Sequence, residues 1–221
     1  MNFEVVKKGN INYIYKSNKL LKYKPWLGDL FSFFYDNIMK KSVFPKKFGS
    51  SLEKHYDFFN SELKKFDNFI ILDLACGNAS ISKFLNKSNF YYGIDISKGL
   101  LKNAIKNLNV NGFQNFELYL ANASELPFED DKFDVCLCNL AINFFNDLDK
   151  VLTEIKRVLK DKGVFIGVVP VPEKNYRNSK INGTLYSEKK LESIFEKNGF
   201  NFKSYNYENG ALLYFKSSFT I

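Results

Sequence analysis

The chain has 221 residues, 45% hydrophobic and 25% charged, with a formal net charge of +8, a balance that suits one globular domain with a full core and a small appended lobe. No run approaches the roughly 18 consecutive apolar residues that cross a bilayer, and the opening MNFEVVKKGN lacks the basic-then-apolar order of a secretion signal, so the expected location is cytoplasmic. Cys76, Cys136 and Cys138 are odd in number and contain no C-x-x-C pair, which points to neither a disulfide framework nor a zinc site, and no metal is expected.

Charge is unevenly placed. Residues 1–65 hold thirteen lysines against six acids, whereas residues 66–221 are nearly balanced. An excess of this kind suits an acidic substrate, an anionic membrane or RNA. It also suits plain compositional bias, because Arg157 and Arg177 are the only arginines in a chain rich in Lys, Asn, Phe and Tyr, as an AT-rich genome would encode. The division by charge sets the expected boundaries: an N-terminal cap or substrate segment over 1–65 and the main domain over 66–221.

Within the first segment, NFEVVKKGNINYIYK reads as a hairpin around Lys8-Gly9-Asn10. In PWLGDLFSFFYDNIMKK, Leu27, Leu30, Phe31, Phe34 and Ile38 share one helical face with basic residues beyond it. Such a face either packs as core, covers an apolar substrate with an acidic end, or rests on a membrane. EKHYDFF carries the lone histidine, His55, a candidate proton acceptor near neutral pH, although a histidine on a helix can equally serve only to pack.

From residue 68 strands and helices alternate. Strands are expected at 69–74, 90–95, 116–122, 133–139 and 164–169. Helices are expected at 80–87, at 98–110 after Ser97, over 148–159, and after Ser187 to Asn198-Gly199. The segment 171–186 is too polar for a core element and reads as a lid. Two last strands, about 200–206 and 211–216, turn at ENGA as a hairpin. Alternation of this length predicts an α/β, doubly wound and mostly parallel sheet with helices on both faces.

Sheets of this kind bind ligands beyond the carboxyl ends of their strands, and Asp73, Asp95, Asn122 and Asn139 stand at four such ends. The loop ACGNA after the first of these strands has small residues, as a backbone approached by a ligand requires. Asp95 follows Asp73 by twenty-two positions, close to the spacing at which dinucleotide folds place a ribose-binding acid. G-x-G-x-x-G is absent. A ligand with a ribose but no pyrophosphate is favoured.

ILDLACGNA, YYGIDIS, LANASELPFEDDKFDVCLCNLAINFFNDLDKVLTEIKRVLKDKGVF and YSEKKLESIFEKNGF together resemble the successive motifs of class I S-adenosylmethionine-dependent methyltransferases, in the branch of quinone and biotin-pathway enzymes. The likeness spans about residues 55–217. It implies a Rossmann-like sheet of seven strands, six parallel and one antiparallel, with S-adenosyl-L-methionine as cofactor and a small-molecule methyl acceptor, acidic or apolar. RNA methylation and cofactor binding without transfer are the alternatives. By position, the resemblance places Asp73, Ala75 and Gly77 around the methionine part, Asp95 on the ribose hydroxyls and Ile96 on adenine. Asn122 and Ala123 fall at the adenine edge, Asn139 facing the methionine amine through its carbonyl, and Tyr56 near the cofactor. Ala75 and Ala79 stand where glycine is usual, which is unstrained if their φ is negative, and Asn122 stands where aspartate is usual. The fourth strand ends in NLAI, unlike the Asn/Asp-Pro-Pro-aromatic turn of enzymes that methylate base amino groups. Cys76 lies in the cofactor loop and reads as packing.

Overall fold

The computed structural model describes residues 3–23, 35–205, 207 and 209–219. Its centre is the strand β4 (Ile70–Leu74), flanked by β5 (Phe90–Asp95) and β7 (Phe133–Asn139), both parallel to it. Beyond β5 lies β6 (Phe116–Leu120), and beyond β7 lie β8 (Leu159–Pro170), the antiparallel β10 (Leu212–Ser218) and β9 (Asn201–Tyr205). Strand order thus reverses at β4, the topological switch point of a doubly wound sheet, with β9 and β10 forming the expected C-terminal hairpin.

The sheet has ten strands among the described residues, not seven. The additional three are N-terminal: β1 (Glu4–Lys8), β2 (Ile11–Lys16) and β3 (Lys19–Leu20). β1 and β2 form the expected hairpin, but β2 also pairs in parallel with β6, Ile11 to Tyr13 against Leu118 to Leu120. Ile11 and Ile14 are consequently buried, and Lys16 donates to Glu125 at 2.6 Å in the loop after β6. An unpaired β6 edge would leave a row of exposed backbone donors and acceptors, and the hairpin covers it.

Helices follow their sequence signals. α1 (Leu52–Leu63), α2 (Lys98–Val110), α3 (Leu148–Val158) and α4 (Glu188–Lys197) are capped by Ser51, Ser97, Asp147 and Ser187, each accepting an amide N–H three residues on. Between β4 and β5 there is only a 3₁₀ turn, Ser80–Phe84, shorter than the helix expected over 80–87. β6 ends at Leu120, which leaves Asn122 in the following loop, and β8 starts directly at the end of α3.

Alternation along β4 divides the two cores. Leu72 and Leu74 face a cluster with α3 and α4, built on Phe165, Phe195 and Phe215. Ile71 faces the other, with Phe58, Phe59 and Leu63 of α1 and Leu101, Ala104 and Leu108 of α2. A helix that opens over Tyr35–Ile38 and continues with wider π turns over Met39–Phe48 packs Phe44 and Phe48 on this second cluster. The residues expected to form the preceding aromatic face, Leu27, Leu30, Phe31 and Phe34, lie outside the described residues. Ile38 is 38% exposed.

The segment 171–186 crosses from β8 to α4 as a polar strap. It is tied to the π-turn helix by Arg177, which donates to the Pro45 carbonyl at 2.9 Å, and by Ser179, which donates to the Lys46 carbonyl at 3.1 Å. At its other end Asn143 donates to the Asn182 carbonyl and accepts from Thr184 N–H, each at 2.7 Å. Gly183 permits this approach, because a Cβ there would collide with the Asn143 carbonyl.

Candidate active site

The carboxyl ends of β4, β5 and β7 bring together most of the polar residues expected there. Asp95, at the end of β5, is buried. One carboxylate oxygen accepts from Gly77 N–H at 2.8 Å and the other from Ser97 N–H at 2.7 Å. The strand-end acid therefore holds the loop after β4 against the start of α2. A carboxylate has about four acceptor positions, so two N–H partners are compatible with a vicinal diol on the same group. Ile96, beside it, is 41% exposed, an apolar side chain presented at the strand end.

Left-handed backbone fills the loop. Ala75, Gly77 and Ala79 have φ of 50°, 56° and 56°. Glycine at 77 takes this conformation freely, but the two alanines do not: the negative φ under which they would be unstrained is not what the chain adopts, and each carries about 1 kcal/mol of strain. Leu140, directly after Asn139, is also left-handed at 58°. Strained residues at the ends of two adjacent strands are the pattern of a site whose geometry the surrounding fold enforces.

Asp73 lies inside the sheet, 1% exposed, and accepts from the Tyr91 hydroxyl at 2.6 Å through Oδ2. Burial raises its pKa to about 7; the Tyr91 bond works against the rise and the nearby Asp95 adds to it. Its other oxygen has no hydrogen-bond partner, and neither do Oδ1 of Asn139 and Oδ1 of Asn143. Among the described residues these three are the only buried side-chain polar atoms without one, and all three are acceptors. Unsatisfied buried acceptors cost about 1–3 kcal/mol each, and each suits a group that brings a donor or positive charge.

Asn122 is exposed, and its amide oxygen accepts from both the N–H and the hydroxyl of Ser124, at 3.0 and 3.1 Å, closing a local turn. The oxygen expected to read an adenine amino group is thus already engaged. Ala123 is buried next to it, and the Tyr23 hydroxyl lies against the Asn122 backbone. Tyr56 is half-buried on α1, with its ring 5.3 Å from that of Phe84 and Lys83 Nζ 3.6 Å above it.

His55 is 1% exposed among Phe44, Phe59 and Tyr214. Its Nδ1 is 3.2 Å from the Tyr214 hydroxyl, and burial pushes its pKa down to about 3. The ring faces the Asn139 side chain, although no well-formed hydrogen bond reaches Asn139 Oδ1. An imidazole so weakly basic and so enclosed is poorly suited to take a proton from an acceptor. Cys76 is buried and its thiol is pushed up by burial and by Asp73 and Asp95, in line with packing.

Tyr91, Asn143, Asn209 and Tyr214 were not singled out in the sequence. Tyr91 could have been found by period-two alternation, since it opposes Ile71 on β4 and shares a face with Asp73. Asn209 sits in ENGA, a stretch that reads only as a turn, yet it bonds Ser51 N–H and C=O as well as the Tyr214 hydroxyl. Asn143 carried no signal apart from its place just after a strand end.

A left-handed loop held by one strand-end acid, with unpaired acceptors at a switch point, defines a ligand-binding α/β domain. Residues 65–199 match the family described as a methyltransferase domain, and the chain belongs to that family. Over 107 residues it is 38% identical to the ubiquinone/menaquinone biosynthesis C-methyltransferase UbiE of Rickettsia prowazekii, a match covering 45% of this chain and 43% of that protein. It is 34% identical over 102 residues to the human mitochondrial arginine-hydroxylase NDUFAF5, covering 45% of this chain and 28% of that protein. The chain therefore spans less than half the length of these curated relatives. Its fold is shared with an S-adenosylmethionine-dependent methyltransferase of Clostridium acetobutylicum, with a TM-score of 0.70 at 17% identity over 86% of this chain and 99% of that one.

Proposed function

We infer that the protein transfers a methyl group from S-adenosyl-L-methionine to a small, largely apolar acceptor. The observation that carries this reading is the unpaired buried oxygen Asp73 Oδ1, on the strand that runs into the loop clamped by Asp95, with two further unpaired acceptors, Asn139 Oδ1 and Asn143 Oδ1, at and after the end of the adjacent strand β7. A ligand with an ammonium group, a sulfonium and a ribose diol complements such a set, and membership of the methyltransferase-domain family supports the same choice. The similarity to a quinone C-methyltransferase supports a small acceptor.

When bound, the cofactor supplies an electrophilic methyl on sulfur. The chain's part is to orient, enclose and balance charge. Asp95 binds the ribose hydroxyls while keeping Gly77 and Ser97 in register. Asp73, fully ionised above its raised pKa, faces the positive end of the ligand, and Asn139 and Asn143 offer neutral acceptors beside it. Ile96 packs on adenine, and Ala123 offers its N–H at the adenine edge. Asn122 shapes that edge through its turn with Ser124. Tyr56, Ala75 and Gly77 line the methionine part. His55 stays neutral and ties the start of α1 to the Tyr214 hydroxyl. Proton removal from the acceptor is then left to the acceptor's own acidity or to a bound water.

Calorimetry with S-adenosylmethionine tests the site. Asp95→Ala should weaken binding by about 2–4 kcal/mol, the loss of two charge-assisted hydrogen bonds, with circular dichroism unchanged. Unchanged affinity in the folded variant would remove the assignment. Incubating the parent protein with methyl-labelled cofactor and separate pools of metabolites and RNA should place label only in the metabolite pool.

A further inference from the structure

Two segments separated by more than 120 residues build one face of the molecule. The π-turn helix brings Lys40, Lys41 and Lys46, all exposed, and the half-exposed Lys47. The strap brings exposed Arg177 and Lys180, and the bonds from Arg177 to Pro45 and from Ser179 to Lys46 hold it against that helix. Neither stretch, 39–52 or 174–187, contains an acidic residue. Glu173, just before the second stretch, accepts from Glu188 N–H on α4. Among the described residues no ion pair involves any of the six cations, whereas lysines elsewhere pair with Glu125, Glu62 and Asp134. Tyr176, next to Arg177 on the strap, is 86% exposed, and Ile38, one residue before the π turns, is 38% exposed.

We propose that this face docks on an anionic membrane surface. Lysines without an ion pair among the described residues, near an exposed tyrosine and isoleucine, are the arrangement by which a protein lies on a bilayer: the charges meet acidic headgroups while the aromatic and aliphatic tips enter the interfacial layer. Single-stranded nucleic acid would instead call for several stacking rings along a cationic groove. Among the described residues of these two segments one ring is exposed, that of Tyr176, and Arg177 already donates one N–H to the Pro45 carbonyl. The inference concerns where the protein works and stands apart from methyl transfer, since the surface would act in the same way whatever the site binds.

Flotation of the full chain with vesicles of phosphatidylglycerol and phosphatidylcholine, compared with phosphatidylcholine alone, tests this. Binding should require the anionic lipid and fall as salt rises. Lys41→Gln, Lys46→Gln and Lys180→Gln together should lower the vesicle partition coefficient by roughly fivefold per charge. A control triple of equal charge on other surfaces, Lys102→Gln, Lys106→Gln and Lys189→Gln, should lower it severalfold less. Tyr176→Ser should weaken binding by a factor that high salt does not abolish. Cofactor affinity and melting temperature, measured on the same samples, should be unchanged in all of them. Three results would overturn the proposal: no binding to anionic vesicles, equal losses in the two triples, or displacement from vesicles by single-stranded RNA whose binding needs the same lysines.

Discussion

Asp73 and His55 are two buried titratable groups displaced in opposite directions, and their effects on stability oppose each other. The Asp73 carboxyl rises from 3.8 to about 7 on folding, so its contribution is full below pH 4 and is lost as pH climbs through 7. The His55 imidazole falls from 6.5 to about 3, so its contribution is present above pH 6.5 and is lost as pH drops toward 3. Between about pH 4 and 6.5 the slopes cancel in the parent protein. In Asp73→Asn the melting temperature should therefore rise with pH across that window, where the parent is flat; a flat variant would mean that His55 keeps an ordinary pKa in the fold, and a parent that itself rises with pH would mean that Asp73 is ionised throughout. Binding of a cation beside Asp73 should also release a proton, so affinity for S-adenosylmethionine should increase from pH 6 to 8 in the parent and not in Asp73→Asn. The strained alanines give a second test. Ala75→Gly and Ala79→Gly, at φ of 50° and 56°, should each stabilise the fold by about 0.5–1 kcal/mol in urea titrations, since relief of left-handed strain outweighs the entropy of glycine.

Both arginines of the chain join segments that the sheet alone would leave apart. Arg157 on α3 donates to Leu126 and Phe128 carbonyls and pairs with Glu154 and Asp130, fixing the loop after β6; Arg177 fixes the strap. Asn209 does the same for the β9–β10 turn, through Ser51 at the cap of α1 and the Tyr214 hydroxyl. Asn209→Ala should lower stability by about 2–4 kcal/mol in denaturant, because it strands buried partners at both ends. A loss under 1 kcal/mol would show that water replaces the amide. These joints explain what could be read in advance and what could not. Strands β4, β5 and β7 and helices α2 and α4 were legible from period and capping, because their signals are local. The parallel pairing of β2 with β6 was not, since nothing in INYIYK names a partner a hundred residues away. Asp73 and Asp95 were legible as carboxylates at strand ends, whereas the burial of His55 depends on Phe44 and Tyr214, which reach it from distant segments.

At the scale of the whole molecule the N-terminal hairpin turns an open edge into an interior strand. Removing residues 1–17 would strip Ile11, Tyr13 and Ile14 from the sheet, each worth about 1.5–3 kcal/mol of burial, and would bare the β6 edge. The truncated protein should associate with increasing concentration in light scattering while the full chain stays unchanged at the same concentrations. A monodisperse truncated protein would show that β6 needs no cover. The loss of Lys16 and its pair with Glu125 should also loosen the loop that carries Asn122 and Ala123, so cofactor affinity should fall in parallel.

Cys76, Cys136 and Cys138 give the protein three internal clocks. All are buried and free, with thiols that burial holds in the unreactive protonated form, so an alkylating reagent can reach them only when the structure opens. Cys136 and Cys138 lie in mid-sheet and can be labelled only at the rate of global unfolding. Cys76 lies in the loop after β4, which opens when the bonds from Cys76 N–H to the Ile94 carbonyl, from Gly77 N–H to Asp95 and from Asn107 to the Asn78 carbonyl part, without the strands separating. The ratio of the two labelling rates is thus a direct reading of how far the loop breathes independently of the fold.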